Sequence, residues 1–304
     1  MPSDRTPSRA WRTATALLVL PVLGLTGLPG TASAAPDTRP GADAPAAPIT
    51  RTTGQHVPGS WIVTLETGAD ARGVARRHAA SPRHVYTSAL HGFAASLTDG
   101  QVRALRNDDD VLALEPDQVV RADATQSVAA GGGLYGLDRT DQRALPLSGS
   151  YTYNRNGRGV RANVIDTGIV TGHRDFGGRA QAVYDAFGGN GQDCNGHGTH
   201  VAGTLGGARH GVAKAAALRA VRVLNCNGSG STSRIIAGID WVRANHIKPA
   251  VANMSLGGGY SFALNTATNN LSKAGVFVAV AAGNENQNAC NVSPASASAP
   301  TVVA

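Results

Sequence analysis

Residues 195–203, Asn-Gly-His-Gly-Thr-His-Val-Ala-Gly, place a histidine between two glycines at what resembles a tightly packed helix start. Asp166 precedes this segment in Val-Ile-Asp-Thr-Gly, and Asn284 follows it in Ala-Ala-Gly-Asn. A carboxylate can orient a histidine base, and an amide can donate to a developing oxyanion. Asp166, His197 and Asn284 therefore predict nucleophilic acyl transfer. The nucleophile is missing, because no segment of the Gly-Thr-Ser-Met type occurs before Ala304.

Strands and helices must bring these three residues together. Apolar runs predict buried parallel strands at residues 160–165, 218–224, 250–254 and 276–281. Helices are predicted between them at residues 197–205, 232–245 and 262–274. This alternation predicts an α/β fold with a parallel sheet and helices on both faces. Asp166, Ser255 and Asn284 each follow a strand, where open sheets of this kind bind ligands.

Residues 59–123 predict a small α+β unit ahead of that sheet. Its order is β-α-β-β-α-β, the ferredoxin-like arrangement. The first helix is predicted at residues 69–78, and Thr98 with Gln101 predicts a capping box for the second. The last strand is predicted at residues 111–114. A unit of this size has a thin core, so we expect it to need a partner surface.

The N-terminal segments predict export. Residues 1–34 carry arginines, an apolar stretch and Ala-Ser-Ala, which together are typical of a cleaved signal peptide. A membrane anchor is disfavoured because the stretch is short and interrupted by Pro21 and Gly24. Residues 35–58 are rich in Ala, Pro, Thr and Gly and predict a flexible linker. We expect a secreted protein without membrane attachment after signal cleavage.

The charge and composition disfavour nucleic-acid binding. The net charge is +7, but the basic residues are scattered and aromatic residues make up only 5%. A nucleic-acid interface needs a clustered basic face. His200 lies three residues after His197, but the Glu of the His-Glu-x-x-His zinc signature is absent, which favours a packed helix residue instead.

Three cysteines in an exported chain leave an odd count. Disulfides are permitted there, so one thiol is free, pairs with another molecule or pairs with a cysteine outside the sequence. Zinc is disfavoured because no Cys-x-x-Cys spacing occurs. The residues concerned are Cys194, Cys226 and Cys290.

Two glycine-bearing segments near strand ends could pair with an extended peptide, because glycines allow close backbone approach. Ordinary turns are the alternative interpretation. The segments contain Gly228, Ser229 and Gly230, and Ser255, Leu256 and Gly257.

From about residue 124 onward the chain resembles the subtilisin family of serine endopeptidases, and it looks closest to the proteinase K and aqualysin branch. The resemblance rests on Gly-Leu-Asp-Arg at 136–139, Ala-Val-Arg-Val-Leu at 220–224, Asn-Met-Ser-Leu-Gly-Gly at 253–258 and the segments around Asp166, His197 and Asn284. It implies a three-layer catalytic domain over residues 124–304. It also implies Asp166 as orienting acid, His197 as base, Asn284 as oxyanion donor, and the two glycine-bearing segments as substrate-binding edges.

The resemblance carries further expectations. It implies a disulfide between Cys194 and Cys226, and a partner for Cys290 beyond residue 304. It implies a structural calcium ion, for which hard oxygen ligands are suited; surface turns are an equal alternative. The calcium ligands would be Asp138, Asp141, Gln142 and Ser148.

Residues 59–123 look like the inhibitor-type propeptide of this family, a chaperone whose tail occupies the cleft. Autocleavage is expected near Asp123 and Ala124. The absent serine segment predicts an incomplete sequence that is inactive alone. The first hypothesis is therefore a secreted, monomeric serine endopeptidase precursor acting on proteins or peptides. The alternative is a secreted pseudoprotease that binds peptides or inhibits proteases; a natural stop codon after residue 304 would favour it.

Overall fold

A computed structural model describes residues 45–122 and 135–299 and the strand Val302–Val303. The predicted signal peptide, the first part of the linker and the expected autocleavage point at Asp123 and Ala124 lie outside the described residues. Within the described part of the chain, no helix has both the length and the apolar character to cross a bilayer.

The first unit has the predicted order β-α-β-β-α-β. Its elements are β1 (His56–Leu65), α1 (Ala71–Arg77), β2 (Pro82–Tyr86), β3 (Gly92–Ser96), α2 (Asp99–Leu105) and β4 (Val111–Ala122). The strands pair antiparallel in the order β4-β1-β3-β2. Thr98 and Gln101 form the predicted capping box at the start of α2. The ferredoxin-like prediction is confirmed.

Side chains alternate between the two faces of β1 and so contribute to two different hydrophobic cores. Val63 packs with Phe93 and Val74 against the unit's own helices. Ile62 lies in a different core, which it shares with Tyr86 and with Ile235 of the second unit. Both side chains are fully buried, so this sheet has no solvated face at β1.

Two predictions about this unit are wrong. Residues 45–58 are not a free linker, because Ala47 is buried in the unit's core and His56 already begins β1. The last strand does not end at Leu114 but continues to Ala122. It continues because its second half pairs with strands of the second unit, and sequence-local signals do not report such partners.

The second unit is the predicted α/β domain. Its elements are α3 (Tyr135–Thr140), β5 (Arg161–Asp166), β6 (Ala180–Asp185), α4 (His197–Gly206), β7 (Ala217–Arg222), β8 (Ser229–Ser231), α5 (Thr232–Asn245), β9 (Ala250–Met254), β10 (Leu256–Gly259), α6 (Phe262–Lys273), β11 (Phe277–Val280), β12 (Val292–Ser293) and β13 (Val302–Val303). One parallel sheet runs in the order β13-β11-β9-β5-β7-β6.

Helices cover both faces of this sheet, as predicted. Val164 packs with Ala202 of α4 on one face. Ile165, the next residue, packs with Ile235 of α5 and Leu271 of α6 on the other. The result is a three-layer α/β domain in which β5 is central and Asp166 lies at its carboxyl end.

Candidate active site

Asp166 and His197 meet at the carboxyl end of the sheet. Asp166 is the last residue of β5, and His197 is the first residue of α4. His197 Nδ1 lies 2.7 Å from Asp166 Oδ1, which also accepts a hydrogen bond from Thr167 N at 2.7 Å. A carboxylate at Nδ1 favours the tautomer with its proton there, so the basic lone pair lies on Nε2.

Burial sets the electrostatics of this pair. Asp166 is fully buried and His197 is 9% exposed. Burial raises the pKa of Asp166, while the hydrogen bonds from His197 and Thr167 act in the opposite direction. A buried carboxylate beside an imidazole stabilises the imidazolium that forms when the ring takes a proton.

Asp193, which was not predicted as a site residue, fixes the start of α4. Its Oδ1 accepts from Asn195 N, Gly196 N and Thr167 Oγ1, each at 2.9 Å. Its Oδ2 accepts from Thr199 N at 2.9 Å and Thr199 Oγ1 at 2.6 Å. Burial alone would raise the pKa of Asp193, but these hydrogen bonds outweigh it and lower the pKa. An acidic residue just before a predicted helix is a signal that could have identified it.

Glycines let α4 approach β5 closely. A Cβ on Gly198 would overlap Gly168 O, and Gly168 itself has a φ of +105°. Gly198 N donates to Thr167 Oγ1 at 2.9 Å. Gly198 and Gly168 therefore allow the close approach of α4 to the end of β5 that accompanies the 2.7 Å pairing of His197 with Asp166.

Cys194 and Cys226 form a disulfide. It joins the loop before α4 to the turn before β8, and Asn195 Nδ2 adds a hydrogen bond to Cys226 O at 2.9 Å. Cys290 is an exposed free cysteine in this structure. The described residues include no group of three or more histidines, cysteines or acidic residues placed to hold a metal.

The two glycine-bearing segments flank the end of β4. On one side, Arg121 pairs with Ser229 of β8; on the other, it pairs with Gly257 of β10. Ala122 pairs with Leu256, and Ala122 N donates to Gly228 O at 2.7 Å. The tail of the first unit therefore lies as an extended strand between both segments.

The remaining residues of these segments support their shape. A Cβ on Gly230 would overlap Val223 O. Ser255 lies between β9 and β10, where its Oγ accepts from Asn253 Nδ2 at 3.0 Å. The segments are thus held against the central sheet rather than hanging as free turns.

Asn284 lies on the same groove as the tail. This groove of about 1050 Å³ is lined by Asn284, Gly257, Arg121 and Ala122 among others. Asn284 is exposed and follows Gly283, whose φ is +100°. Its backbone N donates to Glu285 Oε2 at 2.9 Å. His200, by contrast, is exposed on α4, so the interpretation of a packed helix residue is wrong.

The four residues suggested for calcium do not all converge. Asp138 Oδ1 accepts from Ser148 N at 3.1 Å and from Ser148 Oγ at 3.0 Å, and Gln142 Oε1 accepts from Ser148 N at 2.9 Å. Asp141 instead accepts from Thr152 N. Three of the four thus form one oxygen-rich loop, whose oxygens accept hydrogen bonds from the loop itself.

This fold and site define a three-layer α/β domain with a buried aspartate–histidine pair, joined to a ferredoxin-like domain. In comparison with known proteins, residues 157–304 match the subtilase family and residues 57–123 match the peptidase inhibitor I9 family; the two parts are therefore called the peptidase domain and the inhibitor domain. A subtilisin-like protease of Coccidioides posadasii is 42% identical over 273 residues, covering 82% of this chain and 68% of that protein. The chain belongs to the subtilase family.

Other relatives are more similar over shorter stretches. An extracellular serine proteinase of Thermus sp. (strain Rt41A) is 58% identical over 221 residues, which are 72% of this chain and 53% of that protein. The chain therefore spans about half the length of that relative. A cold-adapted subtilisin-like serine proteinase matches with a TM-score of 0.52 and 53% identity, over 54% of this chain and 61% of that one. Fervidolysin from Fervidobacterium pennivorans shares the fold, with a TM-score of 0.61 and 18% identity over 83% of this chain and 44% of that one.

Proposed function

We propose that this chain is part of a secreted serine endopeptidase precursor that hydrolyses peptide bonds. The observation that carries the proposal is the pairing of His197 Nδ1 with Asp166 Oδ1 in a domain that already holds an extended peptide between β8 and β10. That peptide is the tail of β4, paired on both sides by backbone strands. A cleft that binds extended backbone in this way suits protein substrates of varied sequence.

In the proposed mechanism, His197 Nε2 takes the proton of a serine hydroxyl as the oxygen attacks the peptide carbonyl. Asp166 stabilises the resulting imidazolium, which then gives the proton to the leaving amine as the C–N bond breaks. Water, activated by the same His197 Nε2, then hydrolyses the acyl-serine and releases the acid product. The Asn284 amide donates to the tetrahedral oxyanion. The serine would be supplied by sequence following residue 304, so we expect the 304-residue chain alone to be inactive.

The inhibitor-type unit is proposed to act as an intramolecular chaperone and inhibitor. Strand β4 runs to Ala122 between β8 and β10, which supports autocleavage near Asp123 and Ala124. Secretion is proposed from the signal-like N-terminus and from the name of the Thermus relative, an extracellular proteinase. We also propose a monomer, and a disulfide partner for Cys290 beyond residue 304.

Structural calcium remains a proposal for the loop that contains Asp138, Gln142 and Ser148, with Asp141 nearby. Ca²⁺ takes six to eight oxygen ligands, and this loop offers carboxylate, amide and hydroxyl oxygens. Its hydrogen bonds would have to rearrange around the ion. A melting temperature that rises with added Ca²⁺ in the parent chain, and not in Asp138→Asn, would support the site.

The test is to read the coding region beyond residue 304 and express the complete protein. A Gly-Thr-Ser-Met-like segment and peptide hydrolysis are expected. His197→Ala should lower kcat by about 10⁴ or more, and Asn284→Ala by about 10²–10³. His200→Ala, an exposed neighbour on α4, is the matched control and should retain activity.

Two results would contradict the proposal. A natural stop codon after residue 304 would favour the peptide-binding pseudoprotease. Hydrolysis by the 304-residue chain, abolished by His197→Ala, would show that the nucleophile lies within it.

A further inference from the structure

A segment that precedes the matched inhibitor region contacts both domains. The inhibitor match begins at residue 57, whereas residues 47–55, here called the strap, already contact β4 and the end of β10. We propose that the strap is an intramolecular lock that holds the tail of β4 in the cleft. This inference rests on the proposed function, because it assigns the strap to the same autoinhibited state.

The N-terminal half of the strap is anchored on the inhibitor domain. Ala47 is 7% exposed; its N donates to Arg106 O at 2.6 Å, and Arg106 Nε donates to Ala47 O at 2.9 Å. Leu114 N donates to Pro48 O at 3.0 Å, and Thr50 N donates to Leu114 O at 2.8 Å. These hydrogen bonds satisfy backbone groups of β4 that do not pair with β1. The strap therefore acts on β4 as an added edge strand would.

The middle of the strap reaches the peptidase domain through a closed set of hydrogen bonds. Tyr260 N donates to Thr53 Oγ1 at 2.9 Å, and Gly54 N donates to Gln118 Oε1 at 2.7 Å. Gln118 Nε2 donates onward to Tyr260 O at 3.1 Å. The Gln118 side chain is almost fully buried, so it links strap, inhibitor strand and peptidase domain away from water.

Two glycine backbones make this contact possible. A Cβ on Gly54 would overlap Gln118 Oε1 and lie 3.2 Å from Gly259 N. A Cβ on Gly259 would in turn overlap Gly54 N. A larger residue at position 54 must therefore displace the Gln118 amide to which Gly54 N donates, and it crowds the backbone of β10 at Gly259.

The C-terminal end of the strap fixes the residues that enter the cleft. Val119 N donates to Gln55 O at 2.8 Å. Arg121 Nη2 lies 3.5 Å from Gln55 Oε1, and its Nη1 donates to Ser229 Oγ at 3.2 Å. The strap thus restrains β4 immediately before Ala122. Since Arg51 is exposed, a peptidase could cut the strap there and loosen the tail.

The test measures amide hydrogen exchange in the 304-residue chain, which requires no catalysis. The reporter is the Ala122 amide, which donates to Gly228 O rather than to the strap. Gly54→Val and a deletion of residues 47–53 should each speed its exchange by about tenfold, because local opening of the tail becomes easier. Gly100→Ala is the control, since a Cβ there meets only Thr98 Oγ1 at 3.8 Å.

Unchanged exchange at Ala122 in both variants would overturn the lock. Equal acceleration across β5 and β9 would also overturn it, because the strap would then support the whole fold rather than the tail. Either result can occur whether or not the complete protein hydrolyses peptides. Failure of the strap proposal is therefore distinguishable from failure of the proposed function.

Discussion

The helices around the cleft begin in two different ways. The helix α4, which carries His197, is capped by Asp193 from its own domain. The helices α5 and α6 are capped by carboxylates of the inhibitor domain: Asp117 Oδ1 accepts from Ser233 N at 3.0 Å, and Glu115 Oε2 accepts from Ala263 N at 3.1 Å. Carboxylates stabilise helix N-termini by accepting from free amides and by complementing the helix dipole.

The cap of α4 is called permanent because its own domain supplies it. The caps of α5 and α6 are called removable because the docked inhibitor domain supplies them. The start of α4 keeps its cap whether or not the inhibitor domain is docked. The start of α5 has no cap from its own N-cap side chain, Ser231, whereas Ser261 at α6 also accepts from Leu264 N. We therefore expect undocking to affect α5 most, α6 less, and the Asp166–His197 pair least.

The largest expected effect is at the permanent cap. Asp193→Ala removes an acceptor of five hydrogen bonds and should lower the free energy of unfolding by about 2–3 kcal/mol, allowing for solvent screening of its exposed part. Urea unfolding of the 304-residue chain measures this change. Asp193→Asn retains one acceptor oxygen and should recover part of the loss. A loss of less than about 0.5 kcal/mol in the free energy of unfolding of the alanine variant would contradict a stabilising cap at Asp193.

The removable cap of α5 should matter less. Asp117 accepts from Ser233 Oγ at 2.7 Å and Ser60 Oγ at 2.9 Å besides its bond to Ser233 N. Asp117→Ala leaves these donors buried without their acceptor, which should lower the free energy of unfolding by about 1–2 kcal/mol. Exchange at the Ser233 amide should rise with it. The exposed Asp109→Ala is the control, and equal losses in both variants would contradict a capping role.

Much of the fold could be predicted from the sequence because apolar runs and helix patterns are local signals. The apolar run at 250–254 and the helix at 232–245 match β9 and α5 residue for residue. The proximity of Asp166 and His197 was predictable because each lies at the end of an element and the strands are parallel.

What could not be predicted depends on distant partners. The strand β8 is Ser-Gly-Ser, which has little intrinsic preference for a strand and forms by pairing with β4. Asp117 and Ser233 are 116 positions apart, so no local pattern reports their contact. Residues 45–58 have the composition of a linker, yet they pack through backbone bonds and the small side chain of Ala47.

The two kinds of cap should respond oppositely to pH. Hydrogen bonds lower the pKa of Asp193, so its stabilisation is present above the ordinary carboxyl value and is lost as the pH falls through the lowered pKa. Burial raises the pKa of Glu115, despite bonds from Ser261 and Ala263. Its contribution is therefore greatest at low pH and declines as the pH rises through the raised pKa.

Comparison with Glu115→Gln isolates this effect, because glutamine does not titrate. The free energy of unfolding of the parent chain, minus that of the variant, should fall as the pH rises above about 4.3. Urea unfolding at several pH values measures the difference. A difference that is constant or that grows with pH would contradict the assigned direction for Glu115.

The smallest expected effect concerns a cap inside the inhibitor domain. Thr98→Ala removes the acceptor for Gln101 N and should lower the free energy of unfolding by about 1 kcal/mol. The loss is limited because Gln101 Nε2 keeps its bonds to His78 O at 3.1 Å and Ala79 O at 2.8 Å. Thr98→Ser retains the hydroxyl and should restore most of the stability. Because this cap touches no peptidase helix, exchange at the Ala122 amide should stay unchanged; faster exchange there would show that internal and docking caps are coupled.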